Sequence, residues 1–296
     1  MRAETLNRAV VAGAGTMGPL IASAFAGAGI GVTLWNRSRA GLDRAAALLT
    51  ANGAGAVEMT TDEACFAGAP FVIECIAEDA AQKREFYRRV GPLLAPDGVL
   101  ATNTSGLSIT ALAEGAAAPE RFCGMHWINP PQLIPLVEVV RGEKTAADTA
   151  QSVFTLALRL GKKPILARDV PGFVLNRLQF AVLREALHLV DSGAAGIEDV
   201  DGAMKYGLGL RYACLGPFET ADLGGLDVFS GIAGYLFADL DNSAGAETLR
   251  RLVSEGALGV KSGRGFYEYP GDRGRETVAA RNKNLSALQK ALSEKE

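Results

Sequence analysis

RAVVAGAGTMGPLIASAFAGAGIGVTLW, from Arg8 to Trp35, reads as strand, turn, helix and strand. Arg8–Ala12 is a short apolar run, small residues follow at helical length to about Ala28, and Gly31–Trp35 is apolar again. The turn is Gly13-Ala14-Gly15-Thr16-Met17-Gly18, a G-x-G-x-x-G. Its glycines have separate tasks: a tight turn, close approach of backbone to a pyrophosphate, and close helix–strand packing. The helix start adds unpaired N–H groups and the positive end of a dipole. Alone, the pattern is a glycine-rich turn; between a strand and a helix it marks a dinucleotide site formed by Gly13, Gly15, Thr16, Met17 and Gly18. Ala9 to Trp35 contains no charged residue, which a hydropathy window reads as a membrane span. Glycines 13, 15, 18, 27, 29 and 31 interrupt it. The expectation is therefore a buried βαβ unit, with no membrane association and no targeting segment.

The end of the second strand bears on the cofactor. An acid there accepts hydrogen bonds from the adenosine ribose 2′-OH. This chain has Asn36-Arg37-Ser38-Arg39. Asparagine removes a carboxylate that would repel a 2′-phosphate, and Arg37 and Ser38 can donate to one. NADP(H) is expected ahead of NAD(H), which stays possible if the loop is only an exposed polar turn.

Further along, apolar strands alternate with helical stretches. Strands are expected at Pro70–Cys75, Gly98–Thr102, Phe122–Met125, Val137–Val140 and Pro164–Ala167. Helices are expected at Leu42–Leu49, at Ala80–Leu94 with Gln82-Lys83-Arg84-Glu85 exposed, at Ile109–Glu114 and at Ala147–Leu160. That alternation predicts an α/β, Rossmann-type doubly wound and mostly parallel sheet over residues 1–168. From Pro171 helical periodicity dominates, with Asn176–Asp191, Gly196–Met204, a stretch from Pro217 onward and a polar terminal helix from Asn282 to Glu296. Residues 169–296 are expected to form an all-helical substrate and dimerisation domain.

At 296 residues and 48% hydrophobic content the chain can bury a large core. Its 30 basic and 33 acidic residues give a net charge of −3, which offers nucleic acid or an anionic membrane no electrostatic attraction. The four cysteines, Cys65, Cys75, Cys123 and Cys214, are scattered, which fits a reduced, cytoplasmic protein without disulfides. With two histidines and no cysteine cluster, no metal is expected.

One of those histidines, His126, ends the Phe122 strand, on the side of the sheet where such folds bind ligands. Glu138 follows twelve residues later, beyond Pro130-Pro131. Alcohol oxidation needs a base to take the hydroxyl proton as hydride leaves carbon, and histidine suits neutral pH. A carboxylate on the other ring nitrogen fixes the tautomer and stabilises the imidazolium. Taken singly, His126 reads better as a satisfied buried histidine and Glu138 as an exposed strand acid.

Five segments together change that balance. They are Thr102-Asn103-Thr104-Ser105, His126 with Asn129-Pro130, Leu136–Val140, Pro171-Gly172-Phe173-Val174 with Asn176-Arg177, and Lys261-Ser262-Gly263 with Gly265-Phe266-Tyr267. In this order and spacing, over nearly the whole chain, they resemble the L-3-hydroxyacyl-CoA dehydrogenase family. The resemblance implies His126 as acid–base, Glu138 as its orienting partner, and Ser105 and Asn176 at the reacting oxygen. It also implies that Glu78, Lys83 and Asn103 join the glycine turn and Asn36-Arg37-Ser38 around the cofactor, and that the helical domain makes a homodimer.

The chain departs from the CoA-using members at Asn36, at Pro131 and at Leu210–Leu215. It is similar there to the branch acting on free hydroxy acids, such as L-gulonate 3-dehydrogenase and carnitine dehydrogenase. Arg211 is therefore expected to read a substrate carboxylate, with a surface or subunit contact as its plain alternative. The substrate is expected to be a 3-hydroxy acid or 3-hydroxyacyl-CoA, interconverted with its 3-keto form. An imine-reducing or amine-forming enzyme and a non-catalytic nucleotide sensor stay open as other classes.

Overall fold

β-Branched and aromatic residues between glycine turns give eight strands in the computed structural model, which describes residues 1–51 and 55–293. They are β1 (Arg8–Ala12), β2 (Gly31–Trp35), β3 (Val57–Thr60), β4 (Phe71–Glu74), β5 (Val99–Thr102), β6 (Phe122–Trp127), β7 (Leu136–Arg141) and β8 (Lys163–Arg168). One sheet holds them all, in the order β3-β2-β1-β4-β5-β6-β7-β8. The first six are mutually parallel; β7 turns back antiparallel to β6, and β8 runs parallel to β7. The order reverses between β1 and β4, which is where a doubly wound sheet opens a ligand crevice at its carboxyl ends.

Around the sheet lie α1 (Gly18–Gly27), α2 (Arg39–Ala51), α3 (Ala80–Val90), the short α4 (Ile109–Leu112) and α5 (Ala147–Arg159). Each face of the sheet has its own apolar cluster. One is built on Val11, Ile21, Phe25, Ile73 and Met125, the other on Val10, Trp35, Phe66, Phe86, Tyr87 and Phe122. The inner strands β1, β4, β5 and β6 are buried on both sides, which explains their continuous apolar runs rather than alternation.

The chain forms two compact units, Met1–Arg177 and Leu178–Glu296. The second is helical. It contains most of α6 (Leu175–Asp191), then α7 (Ile197–Ala203), a π-helical turn over Met204–Gly209, α8 (Leu210–Tyr212), α9 (Pro217–Gly224), α10 (Leu226–Leu236), α11 (Glu247–Ser254) and α12 (Arg273–Ser293). The polar helix expected at Asn282–Glu296 is the end of α12, and its last three residues lie outside the described ones. Tyr267 donates to Asp201 at 3.0 Å, tying the Lys261–Tyr267 segment to α7.

The sequence places the parallel sheet and the later helices correctly. It misses β3, whose four residues carry only a weak apolar signal, and the reversal at β7. A proline-containing hairpin of eight residues, 128–135, is too short for the helical crossover that a parallel β6–β7 pair would need.

Candidate active site

At the carboxyl end of β1, Gly13 adopts φ +116° and donates its N–H to the Trp35 carbonyl at 2.8 Å. A Cβ on Gly13 would stand 2.5 Å from the Cys75 carbonyl oxygen, and one on Gly18 would collide with the Gly13 carbonyl. Gly15 faces open space, Thr16 is exposed and Met17 half-buried. Gly13 and Gly18 thus close the turn, while Gly15 leaves its outer surface bare in front of helix α1. That is the shape a pyrophosphate requires. The turn opens on a cleft of about 780 Å³ that also takes in Asn36, Arg37, Ser38, Arg44 and Arg89. These residues fit a dinucleotide at its adenosine end.

Asn36 accepts from the Ala14 N–H at 3.3 Å and donates to the Ser38 carbonyl at 2.9 Å. Its side chain thus braces the turn against the start of α2. Arg89 is held by Glu63 at 2.9 Å, whereas Arg37 has no partner among the described residues.

His126 and Glu138 are direct partners across the antiparallel β6–β7 pair. His126 Nδ1 lies 2.8 Å from Glu138 Oε2, with both side chains buried. The other carboxylate oxygen, Oε1, accepts the N–H groups of Val174 and Leu175 at 2.9 Å each, at the start of α6. Burial pushes the Glu138 carboxyl up, but the His126 bond and these two N–H groups outweigh it and hold it below the ordinary carboxylate range. A carboxylate fixed at both oxygens holds the imidazole with Nδ1 as donor. Nε2 has no partner among the described residues and is the nitrogen left for chemistry.

Phe173 closes the other side of the ring. It is 1% exposed, takes φ +50°, and sets its ring edge-on to His126 with centroids 5.8 Å apart. A bulky side chain in that left-handed region is strained. Here Gly172 before it and the two N–H bonds to Glu138 after it hold it in place.

Asn103 accepts the Trp127 N–H at 2.8 Å, joining the ends of β5 and β6. The Asn176 amide donates to the Ser105 backbone carbonyl at 2.8 Å, and the Ser105 hydroxyl has no partner among the described residues. Glu78 accepts from the Thr104 hydroxyl at 2.5 Å and the Ser105 N–H at 2.9 Å. Partial burial raises its carboxyl, but Thr104, the Lys83 ammonium and the Ser105 N–H together bring it below the usual range.

Lys83 corrects an expectation. It is not exposed like Gln82 and Glu85 but 1% exposed, with its ammonium 2.7 Å from Glu74 and 3.3 Å from Glu78. Glu74 is fully buried and also accepts from Tyr87 at 2.5 Å, Thr102 at 2.8 Å and the Ile76 N–H at 2.6 Å. Lys83 completes a stripe with Phe86, Tyr87 and Val90 on one face of α3. That i, i+3, i+4, i+7 spacing could have shown its direction. Glu74 was missed as well, although an acid ending the apolar strand β4 asks for a partner.

His126, Glu138, Ser105, Asn176, Asn103, Glu78 and the glycine turn all belong to the Met1–Arg177 unit. Arg211 lies in the helical unit, exposed on α8. No group of three or more histidine, cysteine or acidic side chains able to hold a metal occurs among the described residues.

Residues 8–170 match the family described as 3-hydroxyacyl-CoA dehydrogenase, NAD binding domain, and residues 172–269 match its C-terminal domain. The chain belongs to the 3-hydroxyacyl-CoA dehydrogenase family. It is a nicotinamide-dependent dehydrogenase acting on CH–OH groups, and the glycine turn lies within the matched NAD-binding domain. Among its relatives, the 5-formyl-3-hydroxy-2-methylpyridine 4-carboxylate 5-dehydrogenase of Mesorhizobium japonicum is 35% identical over 98% of this chain and 100% of that protein. A crystal structure of an enzyme of that name, described as an NAD+-dependent dismutase, covers 98% of this chain and 99% of its own at 35% identity, with a TM-score of 0.92. The (S)-3-hydroxybutyryl-CoA dehydrogenase of Ralstonia eutropha superposes with a TM-score of 0.73 at 31% identity, over 90% of this chain and 100% of its own.

Proposed function

We propose that this dehydrogenase oxidises the 3-hydroxyl of a small acid with a free carboxylate, and reduces the matching keto acid, without requiring a CoA thioester. The buried His126–Glu138 pair carries the chemistry. His126 Nε2 takes the hydroxyl proton in oxidation and returns it in reduction, with Glu138 balancing the imidazolium charge. The Ser105 hydroxyl and the Asn176 amide hold the substrate oxygen as charge develops on it. When bound, the nicotinamide accepts or supplies the hydride. An imine-reducing role has no observation of its own here, and the intact pair argues against a non-catalytic sensor.

The free-acid choice is supported by backbone likeness. At similar sequence identity, the chain follows an enzyme named for a pyridine carboxylate at a TM-score of 0.92 and one named for a CoA ester at 0.73. Arg211 reads the carboxylate in this proposal, as a bidentate guanidinium can. A panel of 3-hydroxy acids and their CoA esters tests it. Free acids are expected to give the higher kcat/KM, and Arg211→Met to raise KM for the acid about tenfold or more, the loss of one charged hydrogen-bonded contact. Higher kcat/KM on CoA esters, with KM unchanged in Arg211→Met, would refute both parts.

NADP(H) is the proposed cofactor. No carboxylate follows β2, and Arg37 and Ser38 stand beside the cleft with Arg44 one turn along α2. NADPH is expected to show the higher kcat/KM, and Arg37→Ala to lower the NADPH value while sparing NADH. Equal values for the two cofactors in the unmodified enzyme sink this choice. The helical unit exposes Tyr206, Phe218, Leu223 and Phe237, each more than 70% accessible. Apolar exposure on that scale supports a homodimer formed through it. No described helix is long and apolar enough to cross a membrane, and a cytoplasmic location is proposed with the rest.

A further inference from the structure

We propose that Lys162 is a positioning residue for the hairpin joining His126 to Glu138, its ammonium replacing the backbone donors that the hairpin's prolines lack. This inference rests on the acid–base role of that pair.

The hairpin, residues 128–135, contains Pro130, Pro131 and Pro135, none of which has an N–H. Within it, Leu133 and Ile134 both donate to the Pro130 carbonyl at 3.0 Å. The carbonyls of Pro131 and Ile134 receive no backbone N–H among the described residues. A buried carbonyl left that way is costly. Lys162 answers both. It sits in the turn between α5 and β8, is 9% exposed, and donates from Nζ to the Pro131 carbonyl and, at 3.1 Å, to that of Ile134. The adjoining Lys163 N–H takes the Pro135 carbonyl at 2.9 Å. The Lys162 ammonium also stands 5.0 Å above the ring of Trp127, the residue directly after His126. Lys162 therefore grips both arms of the hairpin, at the end of the sheet where His126 meets Glu138.

No carboxylate of the described residues is among its contacts. The hairpin has no ionisable side chain. Helix α5 brings Arg159, whose guanidinium is engaged with the carbonyls of Ala3 and Leu6. Strand β8 brings Lys163, and β6 brings His126, already bonded to Glu138. Burial alone pulls the Lys162 ammonium down to about 8. The sign follows. A lysine lowered in the fold is charged in the unfolded chain up to higher pH, so losing its proton near 8 does not weaken the fold. What it weakens is the charge-assisted grip on the two carbonyls and the ring.

Tryptophan emission tests this, because Trp127 reports on the ammonium and Trp35 is common to every variant. In the unmodified enzyme, emission is expected to change with a midpoint near 8, together with an alkaline fall in kcat. Lys162→Met should abolish that midpoint and lower kcat at neutral pH by about 10- to 100-fold, the scale of misplaced catalytic geometry, with cofactor affinity unchanged. Lys162→Arg keeps its charge throughout, and should move the emission change and the alkaline limb out of range. A midpoint near 8 that persists in either variant overturns the proposal, as does normal kcat in Lys162→Met. If Lys162→Met does not fold, the arginine variant decides alone. Full turnover in His126→Ala would remove the acid–base role yet leave the emission result standing, so the two failures are distinguishable.

Discussion

His126→Ala is expected to lower kcat about 10³-fold, within the ~10²–10⁴ that a positioned acid–base contributes, while cofactor affinity stays unchanged. The asymmetry follows from the geometry. Nothing in the glycine turn or the adenosine cleft touches His126, so a dinucleotide titration should not register its loss. Without the imidazole, the hydroxyl proton has only solvent to go to, and the Glu138 carboxylate keeps the N–H donors of Val174 and Leu175. The carboxylate therefore loses one partner of three and is not stranded, which should limit any loss of stability. A stopped-flow measurement separates the hydride step from product release. Near-normal single-turnover rates in a folded His126→Ala protein would remove this mechanism.

The parts of the site that depend on local pattern were legible in the sequence. The glycine turn is a contiguous motif, and its strand–helix context is set by neighbouring residues. His126 is visible because histidine is rare in this chain, and Glu138 because the Pro130–Pro131 turn could bring it back beside His126, although the antiparallel pairing of β7 that does so is not read from the sequence. What stayed hidden depends on tertiary direction. Lys83 sits in a run of polar residues, and composition outvoted its position in the buried stripe of α3. Phe173 reads as one more apolar residue until its φ and its contact with the imidazole are seen. Lys162 reads as half of an ordinary lysine pair, and only the hairpin's missing donors explain why one turns inward while Lys163 stays exposed.

Lys83→Met is expected to cost about 3–5 kcal/mol of stability, the range for removing one partner of a buried ion pair, and to lower the first thermal transition by on the order of 10 °C. Methionine fills most of the lysine's volume, so the effect comes from charge rather than a cavity. Glu74 is fully buried, and its remaining donors are the neutral Tyr87, Thr102 and Ile76 N–H. Glu78 loses the cation that helps lower its carboxyl, and with it part of the hold on Thr104 and Ser105. Because the Glu78 carboxyl is lowered in the fold, its contribution is complete above the ordinary carboxylate range and vanishes as pH falls through its lowered value. The Glu78 share of the loss should therefore be greatest at neutral pH and shrink in acid. Adding Glu74→Gln removes the stranded charge, and Lys83→Met/Glu74→Gln should recover part of the stability, giving a coupling between the two sites well outside additivity. Calorimetry of the two single variants and the double decides it. If Lys83→Met melts like the unmodified protein, or the two substitutions simply add, the buried lysine is not what holds Glu74 and Glu78 together.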